Sequence, residues 1–167
     1  GASVLAAGLS GNSSVTDLDL GGNRISETAW GGILTALQDP SCVLKKLSLG
    51  STSINDAAAL TLANVLTYSK QLKTLKLSSN REITLRGWQA IFSALQNPNC
   101  LLEELDLDDN RPHHLLMICL SNSLVNNSSL RSLDVSEIAT TTAGWQAFFA
   151  LLQNPNSALE KLFLHDN

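Results

Sequence analysis

Leucines and other aliphatic residues recur along this chain at a fixed spacing, in the pattern L-x-x-L-x-L, with mostly polar residues between them. The pattern occurs in six copies, which start near residues 15, 44, 72, 102, 130 and 159. Successive copies therefore start 28 to 30 residues apart. In the first copy Leu18 and Leu20 alternate with Asp17 and Asp19, which predicts a short strand with one buried side and one solvated side.

The segments between these motifs have the apolar spacing of helices. Trp88, Ile91, Phe92 and Leu95 fall at i, i+3, i+4 and i+7, which places them on one helical face. Three segments align without gaps and share a tryptophan and a Gln-(Asp/Asn)-Pro ending, namely residues 29–42, 87–100 and 144–157. The two segments between them, 57–71 and 114–129, lack both features. Two repeat types therefore alternate.

This alternation of strand and helix predicts the fold class. A strand and a helix repeated every ~28 residues form right-handed crossovers, with successive strands side by side in one parallel sheet. Adjacent strands are ~4.8 Å apart and packed helices ~8–10 Å apart, so the stack curves with the sheet on its concave side. We expect an α/β solenoid shaped like a horseshoe, with residues 1–167 as a single domain.

The pattern L-x-x-L-x-L-x-x-N, in two alternating types of 28 to 29 residues, resembles the ribonuclease-inhibitor-like subclass of leucine-rich repeats. This subclass is shared by the sensor regions of nucleotide-binding innate-immune receptors and by activators of the Ran-type small GTPase. The resemblance covers residues 3–167 and implies a scaffold for protein–protein interaction. With three cysteines the chain lacks the cysteine richness of mammalian ribonuclease inhibitors, which argues against that identity.

The ninth position of the motif carries the first structural expectation. It is asparagine at 23, 80, 110 and 167, but Thr52 and Ile138 in the other two copies. We expect the asparagine side chains to bind backbone groups at the turn that leaves each strand, in a ladder interrupted at the two exceptions. Trp30, Trp88 and Trp145 are expected to pack in the core.

Composition excludes several function classes. The apolar fraction of 44% and the charged fraction of 16% are typical of an ordered domain, and no apolar run is long enough to span a membrane. Eleven basic residues against fifteen acidic residues give no electrostatic reason to bind nucleic acid. Three cysteines, at 42, 100 and 119, form neither a dense nor an even set, which favours a reducing, cytoplasmic location.

A search for catalytic chemistry finds no set with the required context. Ser-His-Asp neighbours, a glycine-rich phosphate loop and Cys/His metal spacing are all missing from the sequence, so we expect no enzyme, no metal and no cofactor. The adjacent pair His113-His114 is expected at a solvated helix start. Cys42 and Cys100 share a column whose third member is Ser157, which indicates a small buried side chain.

The functional information is therefore expected on the concave face, where charge is clustered. Strands two and three carry four lysines (45, 46, 73 and 76), whereas strands four and five carry seven of the fifteen acids (103, 104, 106, 108, 109, 134 and 137). Parallel register should place Asp106 beside Asp134 at ~5 Å, where two like charges repel by roughly 3 kcal/mol at an effective dielectric near 20. The candidate partner-binding residues are Lys46, Lys76, Glu104, Asp106, Asp108, Asp134 and Phe163.

The hypothesis is that strands four and five receive a basic segment of a protein partner, while the lysines orient its acidic side. One alternative is a solvated surface neutralised by cross-strand pairs such as Asp17 with Lys46. The resemblance alone suggests a GTPase activator acting through rim groups Arg24, Arg81 and Arg111. A third alternative is a structural spacer in a larger assembly.

The two ends of the sequence carry no polar cap. The chain begins inside a helical pattern and stops directly after a strand motif, at Asn167. A solenoid needs caps to protect its terminal apolar faces, so we expect a fragment of a longer repeat protein, with Leu162 and Leu164 at an open edge. End-to-end association through the uncapped termini is expected.

Overall fold

Strands and helices alternate along the described parts of the chain. The structure is a computed structural model that describes residues 1–110 and 115–167. The six strands are β1 (Asp17–Asp19), β2 (Lys46–Ser48), β3 (Thr74–Lys76), β4 (Glu104–Asp106), β5 (Ser132–Asp134) and β6 (Lys161–Phe163). The helices are α1 (Ala2–Leu9), α2 (Glu27–Ala36), α3 (Asp56–Tyr68), α4 (Leu85–Leu95), α5 (Leu116–Leu124) and α6 (Thr142–Leu152).

The six strands form one parallel sheet in the order of the sequence. Each helix packs against the next one along the chain, so the helices form a second layer on one side of the sheet. The central residues of the strands are register partners, from Leu18 in β1 to Leu162 in β6. Leu47, Leu75 and Leu105 in this line are at most 1% exposed. The predicted solenoid, with a shared leucine spine and an outward face on the sheet, is confirmed.

The three tryptophans pack against the core to different depths. Trp30 and Trp88 are buried in the core, as predicted, and Trp88 stacks on Phe92. Trp145 is only half-buried and packs against Phe149, because α6 has one neighbouring helix instead of two. The predicted core packing is confirmed for Trp30 and Trp88, and Trp145 packs against the core while remaining partly exposed.

Gly87 precedes Trp88 where α3 and α4 approach closely. A Cβ atom at Gly87 would lie 2.6 Å from Oδ1 of Asp56 and 2.7 Å from a methyl carbon of Ile83. The same Asp56 accepts hydrogen bonds from the backbone N–H and the hydroxyl of Thr84, at 2.8 and 2.6 Å. Thr84 is the N-cap of α4, so the first turn of one helix fixes the start of the next.

Asn80 joins two repeats at the turn that leaves β3. Its side-chain amide donates to the carbonyl oxygens of Leu49 and Leu77, at 2.7 and 3.1 Å. Its Oδ1 accepts from the backbone N–H groups of Thr52 and Ile54, both at 3.2 Å. One buried side chain thus pairs four backbone groups, which would otherwise be buried without partners.

Asn110 extends this ladder by one repeat. Its amide donates to the carbonyl oxygens of Leu77 and Leu107, at 3.1 and 2.7 Å, and its Oδ1 accepts from the N–H of Asn80 at 2.9 Å. Ile138 occupies the corresponding place in the next repeat, where it is 1% exposed and has no polar side-chain atom. The predicted backbone-binding role of the asparagines is confirmed, and so is the interruption at Ile138.

The turn after β5 holds a strained alanine. Ala139 has φ of 44°, in the left-handed region that costs an L-residue roughly 1–2 kcal/mol and glycine almost nothing. Ala139→Gly should therefore raise the free energy of unfolding by about 0.5–1 kcal/mol, measured by urea denaturation. The matched control is Ala143→Gly in the first turn of α6, which should lower it by about 0.5–1 kcal/mol. The strain assignment is wrong if both variants lose stability.

Candidate functional site

Four of the predicted site residues lie in one line across the sheet. Register pairs Lys76 with Asp106, Asp106 with Asp134, and Asp134 with Phe163. Neighbouring strand backbones are ~4.8 Å apart, so the two aspartates are adjacent and are flanked by a lysine on one side and an aromatic ring on the other. The predicted register of Asp106 and Asp134 is confirmed, while their role in binding stays a prediction.

Two further candidates, Lys46 and Glu104, lie on the row that precedes this line. Thr74 separates them, because it is the register partner of both residues. The hydroxyl of Thr74 donates to Oε2 of Glu104 at 3.3 Å. Lys46 is exposed, whereas Glu104 is half-buried and partly engaged by the neighbouring strand. The two residues are thus two strands apart.

Asp108, the last candidate, lies on the row that follows the line. Backbone hydrogen bonds continue past the ends of the strands. The N–H of Ser79 donates to the carbonyl oxygen of Asp108 at 2.9 Å, and the N–H of Asp109 donates to that of Ser136 at 3.2 Å. The N–H of Glu137 donates to the carbonyl oxygen of His165 at 3.1 Å. This row therefore runs in register from Asp108 through Ser136 to position 165.

The carboxylates of Asp106 and Asp134 are held in the same way. Oδ1 of Asp106 accepts from the N–H of Asp108 at 3.1 Å, and Oδ1 of Asp134 accepts from the N–H of Ser136 at 3.0 Å. Asp19 makes the same bond to the N–H of Gly21 at 2.8 Å. Because each side chain is tied to the backbone two residues ahead, its position on the sheet is fixed before any ligand arrives.

Burial and mutual repulsion act on these acids. Burial raises the pKa of Asp106, and the charge of Asp134 raises it further, although Lys76 and the bond from Asp108 N–H act in the opposite direction. Burial also raises the pKa of Asp108, with the charges of Asp134 and Asp109 as further causes. Both shifts mean that the negative charge of the folded state is poorly compensated.

Other acids of this region are compensated. Nζ of Lys73 lies 2.6 Å from Oε1 of Glu103. Arg81 forms an ion pair with Asp109, and Ser79 donates to the same carboxylate at 2.9 Å. The hydrogen bond from Arg81, followed by that from Ser79, lowers the pKa of Asp109.

Within residues 1–110 and 115–167, no cation lies within ion-pair distance of Asp106, Asp108 or Asp134. We call these three residues the acidic strip. Asp17 and Lys46 are register partners but form no ion pair either, so the neutralising pair suggested from the sequence does not form. The compensated acids and the acidic strip are thus separate groups.

Some of the charged residues that the sequence suggested for partner binding form ion pairs within the chain instead. Lys73 pairs with Glu103 and is not free to orient an incoming segment, which corrects the expectation for this lysine. Arg81, a candidate rim group, is held by Asp109, whereas Arg24 is exposed. Arg111 and the pair His113-His114 lie outside the described residues.

Two residues next to the acidic strip, Ser136 and His165, were missed by sequence reasoning. Ser136 is buried, and its hydroxyl lies 3.0 Å from Nδ1 of His165. His165 also packs edge-on against Phe163, whose side chain is 45% exposed. Polar residues at the same position of neighbouring repeats, 28 to 30 residues apart in the sequence, are the signal that could have identified these contacts and the ion pair of Lys73 with Glu103.

Metal-binding groups and membrane-spanning helices are absent from the described residues. No group of three His, Cys, Asp or Glu side chains in this part of the chain could hold a metal ion. The helices of the described ranges are each too short or too polar to cross a bilayer. Cys42, Cys100 and Cys119 are free thiols, and burial raises the pKa of Cys100, as befits a small apolar side chain.

Comparison with known proteins gives one family and several relatives. A family model described as Leucine Rich repeat matches residues 11–28. Ribonuclease inhibitor of Sus scrofa is 31% identical over 158 residues, which cover 95% of this chain and 34% of that protein. NACHT, LRR and PYD domains-containing protein 14 of Mus musculus is 30% identical over 166 residues, which cover 99% of this chain and 17% of that protein. The chain thus spans about a third or less of these relatives.

Solved structures show the same fold at lower sequence identity. Actin-binding site 2 of leiomodin-1 superposes with a TM-score of 0.70 at 21% identity, covering 92% of this chain and 86% of that chain. The C-terminal domain of a Caenorhabditis elegans tropomodulin also gives 0.70, at 16% identity and 92% coverage of both chains. At these identities the likeness concerns the fold alone.

Proposed function

This chain is a leucine-rich-repeat protein of the ribonuclease-inhibitor-like kind, and on that premise we propose that it is a non-catalytic scaffold that binds a protein partner on the concave face of its sheet. The contact proposed is between the acidic strip, Asp106, Asp108 and Asp134, and a basic segment of the partner. The relatives include an inhibitor of a ribonuclease, which by its name acts on another protein.

One observation carries the proposal: three carboxylates are held together on a half-buried surface, and none of them has an ion-pair partner among the described residues. Burial and neighbouring charge raise the pKa values of Asp106 and Asp108, so each carboxylate anion is less stable at this surface than in water. A cation from a partner relieves this repulsion, and the partly buried setting strengthens the attraction relative to water.

The flanking residues give the proposed contact a direction. Lys76 lies beside Asp106 on one side of the acidic strip, and Phe163 lies beside Asp134 on the other. A basic segment is repelled by Lys76 and can rest its aliphatic or guanidinium part on the exposed ring of Phe163. Lys46 and Glu104 lie on the neighbouring row, where Lys46 is available to an acidic residue of the same partner.

The test is a calorimetric titration of the chain with an octa-arginine peptide at low salt. Asp106→Asn combined with Asp134→Asn should weaken binding by about tenfold or more, since two attractive charges are lost. Binding to the unmodified chain should also weaken as salt is raised, because a partly exposed ionic contact is screened.

The matched control removes two charges from another part of the same face. Asp17→Asn combined with Asp19→Asn changes the net charge by the same amount but lies on β1, three strands from β4. This variant should bind octa-arginine with nearly the affinity of the unmodified chain. Equal weakening in both double variants would mean that only net charge matters, and the proposed site would be abandoned.

The single substitution Asp106→Asn should weaken binding but raise the stability of the fold. Asp106→Asn keeps the oxygen that accepts from the N–H of Asp108, and it removes a partly buried charge next to Asp134. We expect the free energy of unfolding at pH 7 to rise by up to about 1 kcal/mol, measured by urea denaturation. A loss of stability would show that the carboxylate contributes to the fold, contrary to a binding role.

The pH dependence follows from the direction of these shifts. An acid whose pKa is raised by folding binds more protons in the native state than in the unfolded state. Stability from Asp106 and Asp108 therefore falls as the pH rises from their unfolded pKa values through their folded ones. In Asp106→Asn, the part of this fall that comes from Asp106 should be missing, so the free energy of unfolding should change less with pH.

We also propose a cytoplasmic location. Three free thiols, one of them buried in the core, are compatible with a reducing compartment and would be at risk of unwanted pairing in an oxidising one.

A further inference from the structure

His165 lies at the end of the row that contains Asp108 and Ser136. Ser136 is 1% exposed, and its hydroxyl lies 3.0 Å from Nδ1 of His165, which itself is exposed. The ring of His165 also meets Phe163 edge-on, with 6.3 Å between ring centroids and an interplanar angle of 89°. Two contacts therefore fix where this imidazole stands on the concave face.

The hydrogen bond from Ser136 can persist in both charge states of the imidazole. A serine hydroxyl both donates and accepts, so it can donate to an unprotonated Nδ1 or accept from a protonated one. Protonation therefore changes the charge of His165 without requiring the ring to leave its place. Histidine is the side chain whose charge ordinarily changes between pH 5 and 8.

The charged groups around His165 come from three elements. Asp108 follows β4, two strands away in the same row, and Asp134 and Glu137 belong to β5 and the turn after it. Lys161 and Asp166 belong to β6 and its turn. The pKa of Asp108 is raised mainly by burial and by Asp134, while His165 acts on it in the opposite direction. An imidazolium at this position thus faces the acidic strip.

The geometry points to a pH-dependent competitor built into the proposed site: protonated His165 occupies the field of Asp108 and Asp134, and it weakens the binding of a basic segment by the acidic strip. This inference rests on the proposed function. It adds that the partner is bound near neutral pH and released on mild acidification.

The test uses the same octa-arginine titration at pH 7.5 and at pH 5.5. The affinity of the unmodified chain should fall by about fivefold, which corresponds to ~1 kcal/mol, between the two conditions. His165→Gln, which is neutral at both values, should keep the affinity at pH 7.5 and lose most of the fall. His165→Lys, which is charged at both values, should bind weakly throughout.

Ser136→Ala serves as a second variant, because it removes the hydroxyl that positions the ring while leaving the histidine in place. It should reduce the fall in affinity without abolishing it. A fall of equal size in His165→Gln and the unmodified chain would assign the pH effect to the acids themselves and overturn this inference alone. No binding by any variant at either pH would overturn the proposed function together with it.

Discussion

Asn110→Ala should lower the free energy of unfolding by about 4 kcal/mol. The substitution leaves the carbonyl oxygen of Leu107 and the N–H of Asn80 without the partners they have in the native structure. The carbonyl oxygen of Leu77 loses one of its two donors and keeps the amide of Asn80. Asn110 is 2% exposed, so water does not reach these groups without disturbing the packing around them. Each buried polar group left unpaired costs about 1–3 kcal/mol. Urea denaturation followed by circular dichroism measures the loss.

The chain provides a matched control for this prediction. Asn23 occupies the same motif position in the first repeat but is exposed. Among the described residues, its side chain bonds only to the carbonyl oxygens of Leu20 and Gly21 in its own turn. Asn23→Ala should therefore cost less than about 1 kcal/mol. A similar loss in both variants would show that the cross-repeat bonds of Asn110 contribute little to stability.

Trp88→Ala should lower the free energy of unfolding by about 3–5 kcal/mol, as for other fully buried aromatic residues. The indole is 2% exposed and stacks on Phe92, with 5.8 Å between ring centroids. Its removal leaves a cavity at the contact of α4 with its neighbours, which backbone relaxation fills only in part because Gly87 already brings α3 and α4 into close approach.

Trp145→Ala is the corresponding control, because Trp145 holds the same position of the same repeat type. It is half-buried and packs against Phe148 and Phe149, so its loss should cost roughly half as much. Both losses in the free energy of unfolding are measured by urea denaturation with circular dichroism. Tryptophan fluorescence is unsuitable because each variant removes one of the emitting residues. Equal losses would mean that burial does not distinguish the two sites.

The proposed binding surface and these stabilising contacts use different parts of the repeat. Trp30, Trp88 and the ladder residues Asn80 and Asn110 are buried behind or beside the sheet, whereas the acidic strip lies in front of it. The strands present side chains alternately to the two sides, so residues of the outward face can change without altering the spine of leucines.

Which acids lack an ion pair depends on contacts between repeats, which a single motif does not reveal. Sequence reasoning grouped seven acids of strands four and five as one region, but Glu103 and Asp109 are bound by Lys73 and Arg81. Both cations come from the repeat that precedes the acid in the sequence. Five of the seven acids, at 104, 106, 108, 134 and 137, have no ion pair among the described residues. Asp106, Asp108 and Asp134 are the three of these that define the candidate site.

The sequence by itself determined the fold, because the leucine spacing, the helical faces and the repeat length each limit the chain to one arrangement of parallel strands and outer helices. It also determined the register of Asp106 and Asp134, since parallel repeats align equal motif positions. The tertiary structure decided which charges are compensated, where Trp145 loses its cover and how Ser136 holds His165. These features depend on whether side chains of neighbouring repeats come within contact distance. That distance is set by the packing of the sheet and helices, and no local sequence pattern encodes it.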